Sequence, residues 1–429
     1  MTDLLAARWQ MGMSLAFHIL FAVAGMAMPL LMVVSEWRWL RGGNPVDLQL
    51  TKRWAKGTAI LFAVGAVSGT VLSFELGLLW PQFMEWAGAI ISMPFSLEGF
   101  AFFTEAIFLG IYLYGWNRVS RWAHWVAGVF VAVSGAASGM FVVFANAWMN
   151  TPTGFRLENG KPVDIDPIAA MLNPSSLPQS VHMVLAAYAA TGFAVAGIHA
   201  YALLRDNKSL FHRRALEIGL LVGGVAAILQ PVSGDLLAKA TGRTQPVKLA
   251  AMEGQFATET RAPLRVGGWP DVEKRETRYA LELPGFLSFL AYGDFNATVK
   301  GLSEFPRDVW PNVPAVHLSF QVMVACGVLM MGVAVWAAWR HWKLRDLPAS
   351  RLFLKCVVIA GPAGLIGVEA GWFVTELGRQ PWIIQGVMRT ADAVTPMPGL
   401  IVPFVTFSAI YLFLGIIVIL LLKRQLKES

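Results

Sequence analysis

The sequence predicts an all-α fold, a polytopic bundle of about nine transmembrane (TM) helices with one long periplasmic loop between the sixth and seventh. Three observations lead there. Of the 429 residues, 56% are hydrophobic and only 14% charged, a balance too apolar for a soluble domain of ordinary charge content. Apolar stretches of about 20 residues, the length needed to cross a hydrocarbon core of about 30 Å, recur along the whole chain. Only one long stretch, Ala238–Asn312, is rich in charge, Gly and Pro.

The predicted spans run Ser14–Val34, Thr58–Trp80, Pro94–Trp116, His124–Trp148, Val181–Leu204, Leu216–Leu237, Val313–Trp339, Leu352–Glu376 and Leu400–Leu422. They divide the chain into helices 1–6 (residues 1–237), a loop (238–312) and helices 7–9 (313–429). A loop of that length usually has a job, and the second polar segment, Asn150–Ser180, is expected on the same face. The first apolar stretch lacks the short length and small-residue cleavage site of a secretory signal, which predicts a retained helix.

Net charge is +7, but its placement says more than its size. Lys and Arg gather in alternate connections: Arg38, Arg41, Lys52, Arg53 and Lys56; Arg118 and Arg121; Arg205, Lys208, Arg213 and Arg214; Arg340, Lys343, Arg345 and Arg351; then Lys423, Arg424 and Lys427 in the tail. By the positive-inside rule those connections are cytoplasmic, which puts the N-terminus in the periplasm and the C-terminus in the cytoplasm. The bilayer is then the chief partner of this surface, and no nucleic-acid partner is expected. Cys326 and Cys356 lie in different helices at different depths, which argues against a disulfide and against thiolate metal sites, and no CxxCH motif for covalent haem occurs.

Ionisable groups at membrane depth are costly, so each is a functional candidate. The sequence places His18 in helix 1, Glu75 in helix 2, Glu98 and Glu105 in helix 3, His182 and His199 in helix 5, and Glu369 and Glu376 in helix 8. With the alternating topology, His18, Glu98, His182, Met323 and Glu376 all fall in the outer half of the bilayer, from five different helices. His, Met and carboxylate donors suit haem iron better than closed structural zinc. His182 with Met323 makes a six-coordinate pair, whereas His18 and Glu376 each leave a position open. Glu98 and Glu105 are seven residues apart, on one helix face and about 10 Å apart along the axis; with Ser138 they form a candidate proton ladder.

Several segments resemble subunit I of cytochrome bd-type quinol oxidases of the short quinol-loop type. The most specific is Gly371-Trp372-Phe373-Val374-Thr375-Glu376-Leu377-Gly378-Arg379-Gln380-Pro381-Trp382, similar to the family signature around GRQPW. Glu98-Gly99-Phe100-Ala101-Phe102-Phe103-Thr104-Glu105, Ala145-Asn146-Ala147-Trp148-Met149, Val181-His182 and Ser319-Phe320-Gln321-Val322-Met323 also match, and Lys248-Leu249-Ala250-Ala251-Met252-Glu253 is similar to the quinol-oxidising loop. The resemblance implies that His182 and Met323 ligate a low-spin haem b, and that His18 and Glu376 ligate two high-spin haems, one haem b and one haem d or a third haem b. Trp372, Arg379, Gln380 and Trp382 would support the haems and their propionates, and Lys248 and Glu253 would bind ubiquinol or menaquinol.

Two departures stand out. Gln321 occupies a position that is often Arg in the family, which implies a low-spin haem of altered potential. Glu98 and Glu105 are one residue closer than in the family pattern, which implies that Glu98 is turned by about 100°. The implied protein sits in the bacterial inner membrane with a second membrane subunit and a small single-helix subunit. It oxidises quinol on the periplasmic side and reduces O2 to water with cytoplasmic protons, building a proton motive force without pumping. The rival readings are a multi-haem cytochrome that passes electrons without reducing O2, and a proton-coupled transporter whose buried Glu and His form a relay.

Overall fold

The computed structural model describes residues 1–206, 208–344 and 350–427; Arg345 of the cytoplasmic set, and the side chain of Lys427, lie outside the described residues. Among the described residues nine helices are long and apolar enough to cross a membrane. They are α1 (Asp3–Gly42), α2 (Pro45–Leu79), α3 (Pro81–Tyr114), α4 (Arg121–Asn150), α5 (Ser176–Arg205) and α6 (Leu210–Thr244), and, after the short loop helix α7 (Pro246–Glu253), α8 (Val313–Leu344), α9 (Arg351–Gly378) and α10 (Ile401–Lys427).

Their ends follow ordinary capping chemistry. The hydroxyls of Thr2, Ser120, Ser209 and Ser350 accept from backbone N–H groups in the first turns of α1, α4, α6 and α9. Asn44 does so for α2, followed by Pro45 at the first helical position. α6 continues through Ala238–Thr244, beyond the predicted end at Leu237. An Asp235–Lys239 pair one turn apart (2.6 Å) and the Thr241 and Thr244 hydroxyls, which donate to carbonyls a turn back, keep this polar end helical.

Helix α5 is the centre of the bundle. A Cβ at Gly192 would lie 2.5 Å from the backbone of Gly223 on α6, and one at Gly364 on α9 would lie 2.3 Å from Cα of Ala190. The three helices therefore meet backbone to backbone, the close packing that small residues permit within a bilayer. Around it lies an apolar core containing Phe193, Ala196, Leu216, Ala334, Phe353 and Val357.

One end of the bundle carries the long loop. There the Asp3 carboxylate accepts from the N–H groups of Gly399 and Leu400 (3.0 and 2.9 Å), Thr395 N–H donates to Leu79 O (2.9 Å), and Gln385 N–H donates to Met149 O (2.9 Å). The basic connections lie at the other end, where Gln425 donates to Arg53 O (2.7 Å) and Arg38 pairs with Glu217 (2.9 Å). The loop itself folds into two-stranded antiparallel ribbons, among them 264–266 with 281–283 and 269–271 with 276–278. Helix α8 clamps it: Gln321 accepts from Gly267 N–H (2.9 Å) and donates to Arg265 O (3.0 Å), and buried His317 sits with its ring nitrogens 2.8 and 3.1 Å from Met252 O and Gly267 O. Cys326 and Cys356 are free thiols.

Candidate functional site

Histidines 18 and 182 sit in matching surroundings. His18 Nδ1 lies 3.0 Å from Ser68 Oγ, whose own hydrogen goes to a carbonyl of its helix, Val64 O (2.9 Å) or Gly65 O (3.1 Å). With its hydrogen on the carbonyl the hydroxyl accepts from Nδ1, the arrangement that leaves Nε2 its lone pair. His182 repeats this on α6: Nδ1 is 3.0 Å from Ser233 Oγ, which donates to Gln230 O (2.9 Å), and Gln230 Nε2 lies 3.1 Å from His182 Nε2. Each ring rests on the next glycine, where a Cβ would come within 3.0 Å of His18 (Gly69) and 3.5 Å of His182 (Gly234). The triplet Val-Ser-Gly recurs at 67–69, 133–135 and 232–234, a signal in plain sight that periodicity and charge do not pick out.

The third copy faces helix α3. A Cβ at Gly135 would meet the Glu105 carboxylate at 3.0 Å, and Ser138, one turn along α4, donates to Glu98 (3.2 Å). The two carboxylates thus share the α3–α4 seam that their spacing predicts. Met323 lies against a glycine too, with its sulfur 3.1 Å from where a Cβ on Gly371 would be. Next to Gly371, Trp372 packs with Leu15, Ile19 and Met183, side chains that flank His18 and His182, in one core cluster. His18, His182 and Met323 are therefore grouped around a common core.

Glu376 ends α9 in a partly buried polar network that the charge pattern does not reveal. It accepts from Asn146 (2.6 Å) and from Arg379 (2.6 Å), and Asn146 accepts from Gln179 (2.8 Å) and Asn150 (3.2 Å). Asn150 in turn accepts from Lys248 Nζ (2.5 Å), whose aliphatic stem covers Gly378. Lys248, Gly378, Arg379, Gln380 and Trp382 line one small cavity. Gln380 is held by Thr390 (3.0 Å), and Trp382 lies under the Arg389 guanidinium, 5.3 Å from the ring centroid. Burial, reinforced by the Arg379 charge, lowers the Lys248 ammonium to about 7.

Glu253, five residues on, is turned about 140° around α7 from Lys248. It faces away from that cavity, toward the loop; burial raises it to about 8, with Arg265 opposing, and its Oε2 is buried without a partner. The predicted quinol pair is therefore split between two faces of a short helix. Arg265 itself is saturated by Glu282 (3.0 Å), Glu259 (3.8 Å) and Gln255. Sequence reasoning missed Ser68, Ser233, Gln230 and Asn150, which are polar but uncharged, and His317, which sits in the first turns of the seventh predicted span.

A membrane bundle that gathers imidazole, thioether and carboxylate donors near one end, with a folded polar loop docked beside them, defines a membrane redox protein. The model of the cytochrome bd terminal oxidase subunit I family matches residues 6–429. A Bacillus subtilis (strain 168) protein described as a candidate cytochrome bd menaquinol oxidase subunit I is 39% identical over 433 residues, covering 100% of this chain and 97% of the relative. The cytochrome bd-II ubiquinol oxidase subunit 1 of Escherichia coli (strain K12) is 28% identical over 462 residues, covering 90% and 88%. The solved bd oxidase from Geobacillus thermodenitrificans superposes with a TM-score of 0.93 at 38% identity, covering 100% of this chain and 99% of that one. The chain belongs to the cytochrome bd terminal oxidase subunit I family. It is a multi-pass inner-membrane subunit of a quinol-oxidising terminal oxidase, a haem enzyme whose subunit I pairs with a second subunit.

The residues present fit haem. His18 Nε2 is left without a partner among the described residues while His182 Nε2 accepts from the Gln230 amide at 3.1 Å, so both are the acceptor nitrogens of their rings, and the glycines beside them let the rings seat against the helix backbone. Arg379, 3% exposed, keeps Nε and Nη1 without partners, buried donors of the kind that carboxylates such as propionates satisfy.

Proposed function

We propose that this subunit oxidises quinol at the loop end, on the periplasmic side, and that O2 is reduced to water with protons drawn from the cytoplasmic side through Ser138, Glu105 and Glu98. The N-terminus then lies in the periplasm and the C-terminus in the cytoplasm. His182 and Met323 hold the low-spin haem b, and His18 and Glu376 hold two high-spin haems, a haem b and a haem d or third haem b, with Trp372, Arg379, Gln380 and Trp382 around them. Those groups supply one-electron storage and an open iron for O2. The second membrane subunit and a small single-helix subunit complete the enzyme. The higher identity to the menaquinol relative favours menaquinol over ubiquinol.

The chain's own residues handle the protons. Quinol gives up two protons as it gives up two electrons, and Lys248 and Glu253, brought to about 7 and about 8 by burial, take protons readily near neutral pH. Asn150, fixed by Asn146, orients the Lys248 amine. Ser138 on α4 and Glu98 on α3 pass a proton across the seam between the two helices without exposing a bare charge to lipid. Releasing protons on one side and consuming them on the other separates charge without a pump, against about 2.3 kcal/mol per charge per 100 mV. The single observation that supports this reading best is the hydrogen-bond chain that runs from buried Lys248 through Asn150 and Asn146 to half-buried Glu376. An oxygen electrode tests it: the haem-loaded complex consumes O2 on addition of a short-chain menaquinol, and a fully loaded preparation that consumes none overturns it.

A further inference from the structure

Away from that network, the seam where α1, α2 and α10 meet holds a second polar cluster. Gln10 and Ser14 stand one turn apart on α1, Glu75 on α2 and Tyr411 on α10. All four are buried, at 1%, 0%, 2% and 3% exposure. Gln10 Nε2 donates to Glu75 Oε1 (2.9 Å), and Ser14 adjoins both Glu75 and Tyr411. The Phe17 ring, 4.7 Å from that of Tyr411, closes the apolar side. Yet Gln10 Oε1, Ser14 Oγ, Glu75 Oε2 and the Tyr411 hydroxyl are each buried without a hydrogen bond of good geometry, Ser14 standing only within looser reach of Glu75 and Tyr411.

Four unpartnered oxygens on neighbouring side chains from three helices call for a common partner, since buried polar atoms are almost always satisfied. Gln10 spends its N–H on Glu75 and leaves its carbonyl oxygen, an acceptor only. The free carboxylate oxygen beside it is also an acceptor unless protonated. Among the described residues no Lys, Arg or His forms an ion pair with Glu75, and an unpaired carboxylate at membrane depth is costly. Carboxylate, amide and hydroxyl oxygens together are the ligands of a hard cation. A single carboxylate neutralises one positive charge and would leave a divalent ion with an excess that the bilayer penalises.

We propose that Gln10, Ser14, Glu75 and Tyr411 form a binding site for a monovalent hard cation of Na+ type, one helical turn from His18 along the same face of α1. The site is independent of the quinol-oxidase reading, because its readout is ion occupancy. The test is equilibrium binding of radioactive Na+ to the purified complex in choline chloride buffer, with thermal unfolding compared in NaCl and choline chloride at equal ionic strength. Wild type binds Na+ saturably and unfolds at a higher temperature in NaCl. Glu75→Gln loses both effects, and Ser14→Ala and Tyr411→Phe, which keep the carboxylate and fold even if Glu75→Gln does not, weaken binding by about tenfold. Absence of saturable binding in wild type, or binding unchanged in Ser14→Ala and Tyr411→Phe, overturns the proposal and leaves the four oxygens to water.

Discussion

The two ends of the bundle each bury a cluster of ionisable groups, and they differ in how completely those groups are satisfied. At the end away from the loop, Glu36 accepts from Tyr112 (2.6 Å) and lies 2.7 Å from His124 Nδ1, while His124 Nε2 is 2.8 Å from Tyr112 O. Every polar side-chain atom of that trio is paired, and the rings of Trp116, Tyr112 and His124 pack together; Asp47 Oδ1 and Arg214 Nε, outside the trio at the same end, are not. At the loop end, Arg379 Nε and Nη1, Glu253 Oε2, Gln245 Oε1 and Gln230 Oε1 are buried and unpaired. A closed cluster fastens α1, α3 and α4 together. An open one is built to receive something, because unmade buried bonds cost about 1–3 kcal/mol each.

That contrast can be broken or sharpened by mutation. The largest effect belongs to the proposed haem ligands: His182→Ala or Met323→Leu removes the low-spin b signal from the reduced spectrum, and Glu376→Ala removes a high-spin signal. Full occupancy of all haems in these variants would refute the ligand assignment. Next come the loop residues. Glu253→Gln lowers kcat/KM for quinol by about 10²-fold or more while the spectrum is retained. In wild type kcat/KM rises with pH and levels off above about 8, as the raised Glu253 carboxyl ionises and becomes a base. A pH profile with the same rise in the Gln variant would acquit Glu253. Asn150→Ala, which strips Lys248 of its acceptor, costs roughly tenfold in kcat/KM, and turnover equal to wild type would detach the network from quinol chemistry. Smallest is the closed cluster: Tyr112→Phe lowers stability by about 1–3 kcal/mol and leaves steady-state O2 uptake unchanged. A loss of turnover at unchanged stability would give that end a role in the reaction.

Much of the fold could be read from the chain. Each predicted span falls on one helix of the structure, overrunning it only at Trp80, at Gly115–Trp116 and at Leu400, because a bilayer accepts little besides long apolar helices and the 20-residue period is hard to mistake. Helix ends were less legible: Glu36 and His124 sit in turns where charge argues for a surface, and only the fold reveals that Tyr112 covers them. The loop showed its length and polarity but not its clamps. Gln321 reads as a lost charge in the sequence and proves to be the side chain that pins the 264–283 ribbons to α8. Among site residues, charged and sulfur-bearing ones announced themselves at membrane depth. Ser68, Ser233 and Asn150 did not, since a small polar residue in an apolar helix signals nothing until its neighbour across the seam is known.

The serines opposite His18 and His182 have one more effect. A serine hydroxyl at Nδ1 and a glycine at the ring face fix how each imidazole is turned, with Nε2 left as the nitrogen that can ligate. Each ring is thus oriented by its neighbour across the seam, so Ser68→Ala or Ser233→Ala loosens the imidazole itself before it touches any bond the imidazole makes.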